Sequence, residues 1–293
     1  MSGENTTIEV RAGEALDAVK ISKFLTDKIA GVSGVPVIRQ FPSGASNLTY
    51  LLEFADRALV LRRPPTGTKP KSGHDMGREF RIMQALAGHF PVPKCLLYSE
   101  DEDVVGAPFY VMERVDGLLI KTAFPPELNW GKAETSKLCH TFFDLLVDLH
   151  QLDIDELGLG EFGKPKGYVT RQITGWDRRF ERVITPDIDD FTDVRKWLLD
   201  NIPVETGRAS ILHGDFRIDN MILDRQKPFQ INAVLDWEIS ALGDPLMDLG
   251  NTLAYWTEAG DPPAMRNLAR QPSWAPGMFT RQQALEHYAA KTG

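Results

Sequence analysis

The chain has 293 residues, 42% hydrophobic and 25% charged, which is ordinary for a soluble globular protein and, at roughly 150 residues per domain, predicts two domains or lobes. A formal net charge of −8 excludes a sequence-independent nucleic-acid binder, which needs a basic face. Cys95 and Cys139, with no CxxC and no paired histidines nearby, argue against a disulfide framework and a structural zinc site.

The amino terminus carries Glu4, Glu9, Arg11, Glu14 and Asp17 where a secretory signal would be apolar. No run approaches the roughly 18 apolar residues a membrane span needs. The reading is a cytoplasmic protein with free thiols, no nucleic-acid or membrane partner, and an oligomeric state the sequence leaves open. From Glu14 to Ala30, Leu16, Val19, Phe24, Leu25 and Ile29 recur at helical intervals. Val35 to Phe41, Leu48 to Phe54 and Ala58 to Arg62 then predict short strands, the last two joined by a tight turn at Ala55-Asp56-Arg57. A Gly/Pro/Lys-rich stretch, Pro64 to Gly73, leads to a helix carrying Phe80, Met83 and Leu86, and Leu96 to Ser99 and Phe109 to Arg114 read as strands.

After Asp116-Gly117 the pattern is mostly helical. Leu138, Phe142, Leu145 and Leu149 share one helix face, and Leu246, Leu249, Leu253 and Trp256 another. Short strands are expected around Ile211-Leu212, Met221 to Leu223 and Ala233 to Leu235. Arg281 to Lys291 predicts a last helix with little chain after it, which leaves open a truncated domain or a further tail. The fold class is therefore α+β: residues 1–115 form a smaller lobe of antiparallel sheet with a helix, and 116–293 a larger, mostly helical lobe.

Chemistry concentrates in His213-Gly214-Asp215-Phe216-Arg217-Ile218-Asp219-Asn220 and in Asp236-Trp237-Glu238. Each follows an apolar, strand-like run, which presents the polar side chains at a strand end. A hairpin between the two clusters brings Asp215, Asn220 and Asp236 together as oxygen donors without His or Cys. Such donors suit magnesium, and phosphoryl transfer needs a metal-binding pair plus a separate Asp that orients the attacking hydroxyl. Four specified residue types at fixed spacing recur by chance on the order of once per hundred thousand positions. His213 remains an alternative general base on chemical grounds.

The two clusters, with Asp244-Pro245 and Asp248-Leu249-Gly250 after them, resemble the catalytic and metal loops of the aminoglycoside phosphotransferase and choline kinase group. The resemblance covers nearly the whole chain and implies a bilobal protein-kinase-like fold. By it, Asp215 is the catalytic base, Asn220 and Asp236 are magnesium ligands, His213 supports the loop, and Asp248 holds it through backbone hydrogen bonds. It implies ATP and Mg2+ as cofactors and a small-molecule hydroxyl as acceptor. In the first lobe, Ser43, Gly44, Ser46 and Asn47 lie in a hairpin of small residues where backbone N–H groups approach phosphate. Arg62 stands where kinases place a phosphate-binding lysine, and Glu79 resembles the partner that orients it. Glu113 to Val115, after a strand, resemble the hinge whose backbone pairs with adenine, so Glu113 and Val115 are candidate nucleotide contacts.

Departures from protein kinases — no third-strand lysine, no GxGxxG, HGD where HRD is usual — favour a small-molecule kinase. Arg171, Arg178, Arg179 and Arg182 argue against a polycationic antibiotic and for an acidic acceptor. The chain also resembles bacterial phosphotransferases similar to the kinase-like domain fused to some acyl-CoA dehydrogenases, which implies a hydroxyacyl or hydroxyacyl-CoA acceptor. The alternatives are an aminoglycoside kinase, a nucleotide-binding pseudokinase module without turnover, and a metal-dependent hydrolase built on His213 and Asp215.

Overall fold

A computed structural model describes residues 7–42, 47–65 and 75–293. Its elements begin with helix α1 (Ala18–Thr26), strands β1 (Val37–Gln40), β2 (Leu48–Glu53) and β3 (Ala58–Arg63), and helix α2 (Met76–Leu86). Then come β4 (Cys95–Ser99), α3 (Glu102–Val105), β5 (Phe109–Glu113) and β6 (Leu118–Leu119). The remainder is α4 (Lys132–Gln151), α5 (Tyr168–Val183), α6 (Thr192–Asp200), β7 (Ser210–Leu212), β8 (Met221–Leu223), β9 (Ile231–Val234) and β10 (Ala241–Gly243). Helices α7 (Pro245–Ala254), α8 (Pro263–Asn267) and α9 (Arg281–Thr292) close the chain. This is the bilobal α+β architecture expected: an antiparallel sheet of order β1-β2-β3-β5-β4 with one helix beneath it, then a helical lobe with small hairpins.

Alternation along the strands sorts the sheet into two faces. On β3 and β5, Leu59, Leu61, Phe109 and Val111 point outward, into a small core with Ile21 and Leu25 of α1. Val60, Tyr110 and Met112 point the other way, into a larger core shared with α2, α4 and the β8–β9 hairpin. Arg62 keeps the parity of Val60, so the same alternation turns its guanidinium toward the helical lobe. On α2, Glu79, Ile82, Met83 and Leu86 form one buried stripe, which leaves a carboxylate at the end of an apolar face. Gly117 in the connector packs so closely on the β8 strand that a Cβ would sit 2.4 Å from the Leu223 carbonyl oxygen.

Helix α1 is shorter than its periodicity predicts. Asp17 caps it by accepting from the Val19 and Lys20 amides, and the buried face is Ile21, Ser22 and Leu25, leaving Val19 66% exposed. Cys95 and Cys139 are both free thiols. Among the described residues no helix is long and apolar enough to cross a membrane.

Candidate active site

Strand β7 delivers the chain into a turn that begins at His213. Gly214 adopts φ 83°, and a Cβ there would lie 3.1 Å from the Ile239 carbonyl oxygen, so only glycine fits. The turn closes as the Asn220 side-chain amide donates to the Asp215 carbonyl oxygen at 2.9 Å and to Asp215 Oδ2 at 3.0 Å. The β8–β9 hairpin then returns the chain beside its start, where the Leu235 amide donates to the Asn220 carbonyl at 2.8 Å. Asp236 follows in a left-handed conformation, φ 70° and ψ 57°. That backbone is uncommon for a residue with a Cβ, and such positions cluster at functional sites.

His213 is fully buried, and both its ring nitrogens are committed. Nδ1 accepts from the Asp215 amide at 3.1 Å, so Nε2 carries the proton and donates to the Leu235 carbonyl at 2.9 Å. Burial holds the imidazole below its usual pKa and keeps it neutral. His213 is therefore a scaffold tying the two loops together, and neither the general-base nor the hydrolase alternative has a free nitrogen to use. Asp248 plays the same part from α7. It accepts from the His213 and Gly214 amides at 2.7 and 2.8 Å and from His150 Nε2 at 3.2 Å. Burial alone would raise its pKa, but the His150 hydrogen bond, the neighbouring imidazoles and the backbone donor hold the carboxyl below the usual range.

From the other lobe, Arg62 reaches across. It pairs with Glu79, with Asp236 Oδ1 at 3.1 Å and with Glu238 Oε2 at 3.5 Å. Burial disfavours the guanidinium charge, yet Glu79, Tyr110 and Asp236 outweigh it and its pKa lies well above the usual value. Burial, helped by the neighbouring acids Asp236 and Glu238, pushes Glu79 up to about 7 despite its cationic partner. Asn47 adds a second link between lobes by donating to Glu238 Oε2 at 2.7 Å. Ser43, Gly44 and Ser46 lie outside the described residues.

Between the lobes is a cavity of about 660 Å³. Arg62, Glu79, Asp215, Asn220, Asp236 and Glu238 line its polar end, and Val60, Met83, Met112, Leu119 and Ile222 its apolar part, beside Glu113 and Val115. The Glu113 carboxylate turns outward to Lys94 at 3.4 Å and Arg57 at 3.9 Å, so only its backbone is suited to a ligand in the cavity. Among the described residues no group of three or more His, Cys, Asp or Glu is placed to hold a metal. Asn220 and Asp236 instead form a sparse set of hard oxygen donors, which fits a magnesium ion completed by phosphate oxygens.

Arg171, Arg178, Arg179 and Arg182 do not line this cavity. Arg171 donates to the Lys164 and Lys166 carbonyls, Arg178 to Thr174, and Arg179 stacks on Trp176. Among the described residues, the cations that do line it, besides Arg62, are Arg114, Lys121, Arg217 and Arg270. Sequence reasoning passed over Arg217 and Glu238 although both sit inside the quoted motifs, because nothing in a motif says which intervening side chains face a ligand.

A family model described as "Phosphotransferase enzyme family" matches residues 37–286. Acyl-CoA dehydrogenase family member 11 of Gallus gallus is 37% identical over 87% of this chain, but the match covers 33% of that protein. The chain thus spans about a third of the length of the curated relatives it matches. A crystal structure from Ralstonia eutropha, of a candidate aminoglycoside phosphotransferase, is 31% identical with a TM-score of 0.79, covering 95% of this chain and 81% of that one. The streptomycin- and ATP-bound ternary complex of APH(2″)-IIa, 18% identical, shares the fold alone, with a TM-score of 0.61 over 94% of this chain and 82% of that one.

Proposed function

The chain belongs to the phosphotransferase enzyme family, and on that premise we propose that it transfers the γ-phosphoryl group of ATP, taken up with Mg2+, to a hydroxyl of a small molecule. One observation carries this reading: Asp215, Asn220 and Asp236, from two separate loops, meet at one end of an interlobe cavity that Arg62 and Glu79 enter from the opposite lobe. Asn220 and Asp236 would hold the metal, which would offset phosphate charge during transfer. Arg62, oriented by Glu79, faces the phosphates, and the Glu113 to Val115 backbone meets adenine. Asn47 holds Glu238 at the phosphate end of the cavity. Asp215 orients the acceptor hydroxyl and takes its proton as the new P–O bond forms. Residues 1–115 serve the nucleotide and 116–293 the chemistry and the acceptor.

The acceptor we assign is a hydroxyacyl compound or its CoA thioester. In support, the relatives are named as acyl-CoA dehydrogenase family members, and Lys121 and Arg270 at the cavity suit an anionic molecule better than a polycationic one. Incubation of hydroxyacyl-CoA thioesters, kanamycin and choline with Mg-ATP, read by mass spectrometry, tests it. Addition of phosphate to a hydroxyacyl-CoA is expected. Transfer only to kanamycin or choline would overturn the acceptor assignment, and nucleotide binding without turnover on any acceptor would favour the pseudokinase reading.

A further inference from the structure

Arg217, two residues beyond Asp215, is bound in a way that the roles above do not use. Its Nε and Nη2 donate to the two Asp219 oxygens at 2.9 and 3.2 Å, a bidentate fork that fixes the plane of the guanidinium. Its carbon lies 4.9 Å from the Tyr255 ring centre, which covers one face. Gln271 ties this platform to the loop, accepting from the Ile218 amide at 2.8 Å and donating to the Tyr255 carbonyl at 3.4 Å. What remains is Nη1, and it meets Asp215 Oδ1 at 2.9 Å.

The terminal torsion of an aspartate is soft, so a carboxylate on a loop swings unless its oxygens are held. Here both are: Oδ1 by Arg217 and Oδ2 by the Asn220 amide. Asn220 is also the candidate metal ligand, so its grip on Asp215 is shared with another task. Arg217 has no such second task. Its fork and its stacked face make it a rigid strut between Asp219 and Asp215, which a lysine, a point charge on a flexible stem, would not reproduce.

We infer that Arg217 is a positioning residue for phosphoryl transfer: braced by Asp219 and Tyr255, it sets the Asp215 carboxylate in the orientation that meets the acceptor hydroxyl. The inference rests on the assignment of Asp215 as base. In the step served, the acceptor oxygen bonds to the γ-phosphorus, the bond from phosphorus to the β–γ bridging oxygen breaks, ADP departs with that electron pair, and the hydroxyl proton passes to Asp215. Arg217 exchanges no proton and stays charged throughout.

The test pairs structure with kinetics on the full chain. Crystal structures of Arg217→Gln and Asp219→Asn are expected to show the Asp215 carboxylate rotated or split between positions. With hydroxybutyryl-CoA and, independently, water as acceptors for labelled ATP, both variants should lose about 100-fold in kcat with KM for ATP unchanged. Arg217→Lys should recover little, and methylguanidine should restore turnover several-fold to Arg217→Ala but not to Asp215→Ala. Arg217→Lys as fast as wild type, or an Asp215 carboxylate unmoved in Arg217→Gln, would overturn the inference. If the wild-type chain transfers phosphate to no acceptor, the kinase reading falls, and the crystallographic comparison alone decides whether Arg217 sets Asp215.

Discussion

The turn from His213 to Asn220 and the α5–α6 hairpin share the helical lobe, yet one is held from every side and the other on few contacts. Around the turn, Asp248 takes two backbone amides, Thr252 donates to the Phe216 carbonyl at 3.2 Å, and Gln271 accepts from Ile218 at 2.8 Å. Behind Asp248, His150 is fixed by the Tyr288 hydroxyl at 2.7 Å, so helix α9 reaches the loop through a buried relay. In the hairpin, α5 buries only Val169 and α6 buries nothing, while Trp176 and Trp197 stand 63% and 62% exposed. Its main ion pairs, Arg195 with Asp177 at 2.7 Å and with Glu181 at 2.8 Å, join the two helices to each other. Distinctive side chains therefore mark a site only where the backbone beneath them has no freedom.

Mutations on the two sides of this contrast should separate widely. Asp215→Ala is expected to lower turnover by about 1,000-fold or more while calorimetry still detects ATP binding; an active variant would break the assignment of the turn as catalytic. Asp236→Ala should cost about 100-fold in turnover and also weaken magnesium-dependent nucleotide binding. Asp248→Asn leaves two amides and an imidazole donor poorly matched in a buried site and should lower stability by roughly 3 kcal/mol, against about 1 kcal/mol for Tyr288→Phe, both read by chemical denaturation.

Glu79 gives a smaller, pH-dependent effect. Its pKa in the fold is about 7 against the usual 4.5, so between those values the folded chain keeps a proton that the unfolded chain gives up. Its contribution to stability is full below the lower value and fades as pH rises to the higher one. Denaturation of Glu79→Gln across that window should lose this decline. At the other extreme, Trp197→Ser on the hairpin is expected to change stability by no more than about 0.5 kcal/mol, and a larger loss would mean that α6 is better anchored than its exposure indicates.

The strands from Val37 to Glu113 were legible because residue type and period agree locally, and Glu79 because it is the only glutamate between Pro64 and Tyr98. The turn from His213 to Asn220 was legible as a candidate because its polar residues are packed into eight consecutive positions. Contacts that join distant segments were not: Arg62 to Asp236, Asn47 to Glu238 and Tyr288 to His150 are set by how the elements pack. The weight given to Arg171, Arg178, Arg179 and Arg182 failed for the same reason, since clustering in sequence says nothing of which way a helix faces.

The larger core has one more consequence. Val60 and Met112 of the sheet, Met83 of α2, and Phe142, Phe216 and Trp237 beyond the connector belong to a single apolar cluster, and the Phe90 ring meets Trp237 edge-on at 5.8 Å. The passage from the sheet lobe to the helical lobe is thus a change of architecture laid over continuous packing. A calorimeter should record one endotherm on heating, and either half expressed alone would present bare apolar surface to water and clump.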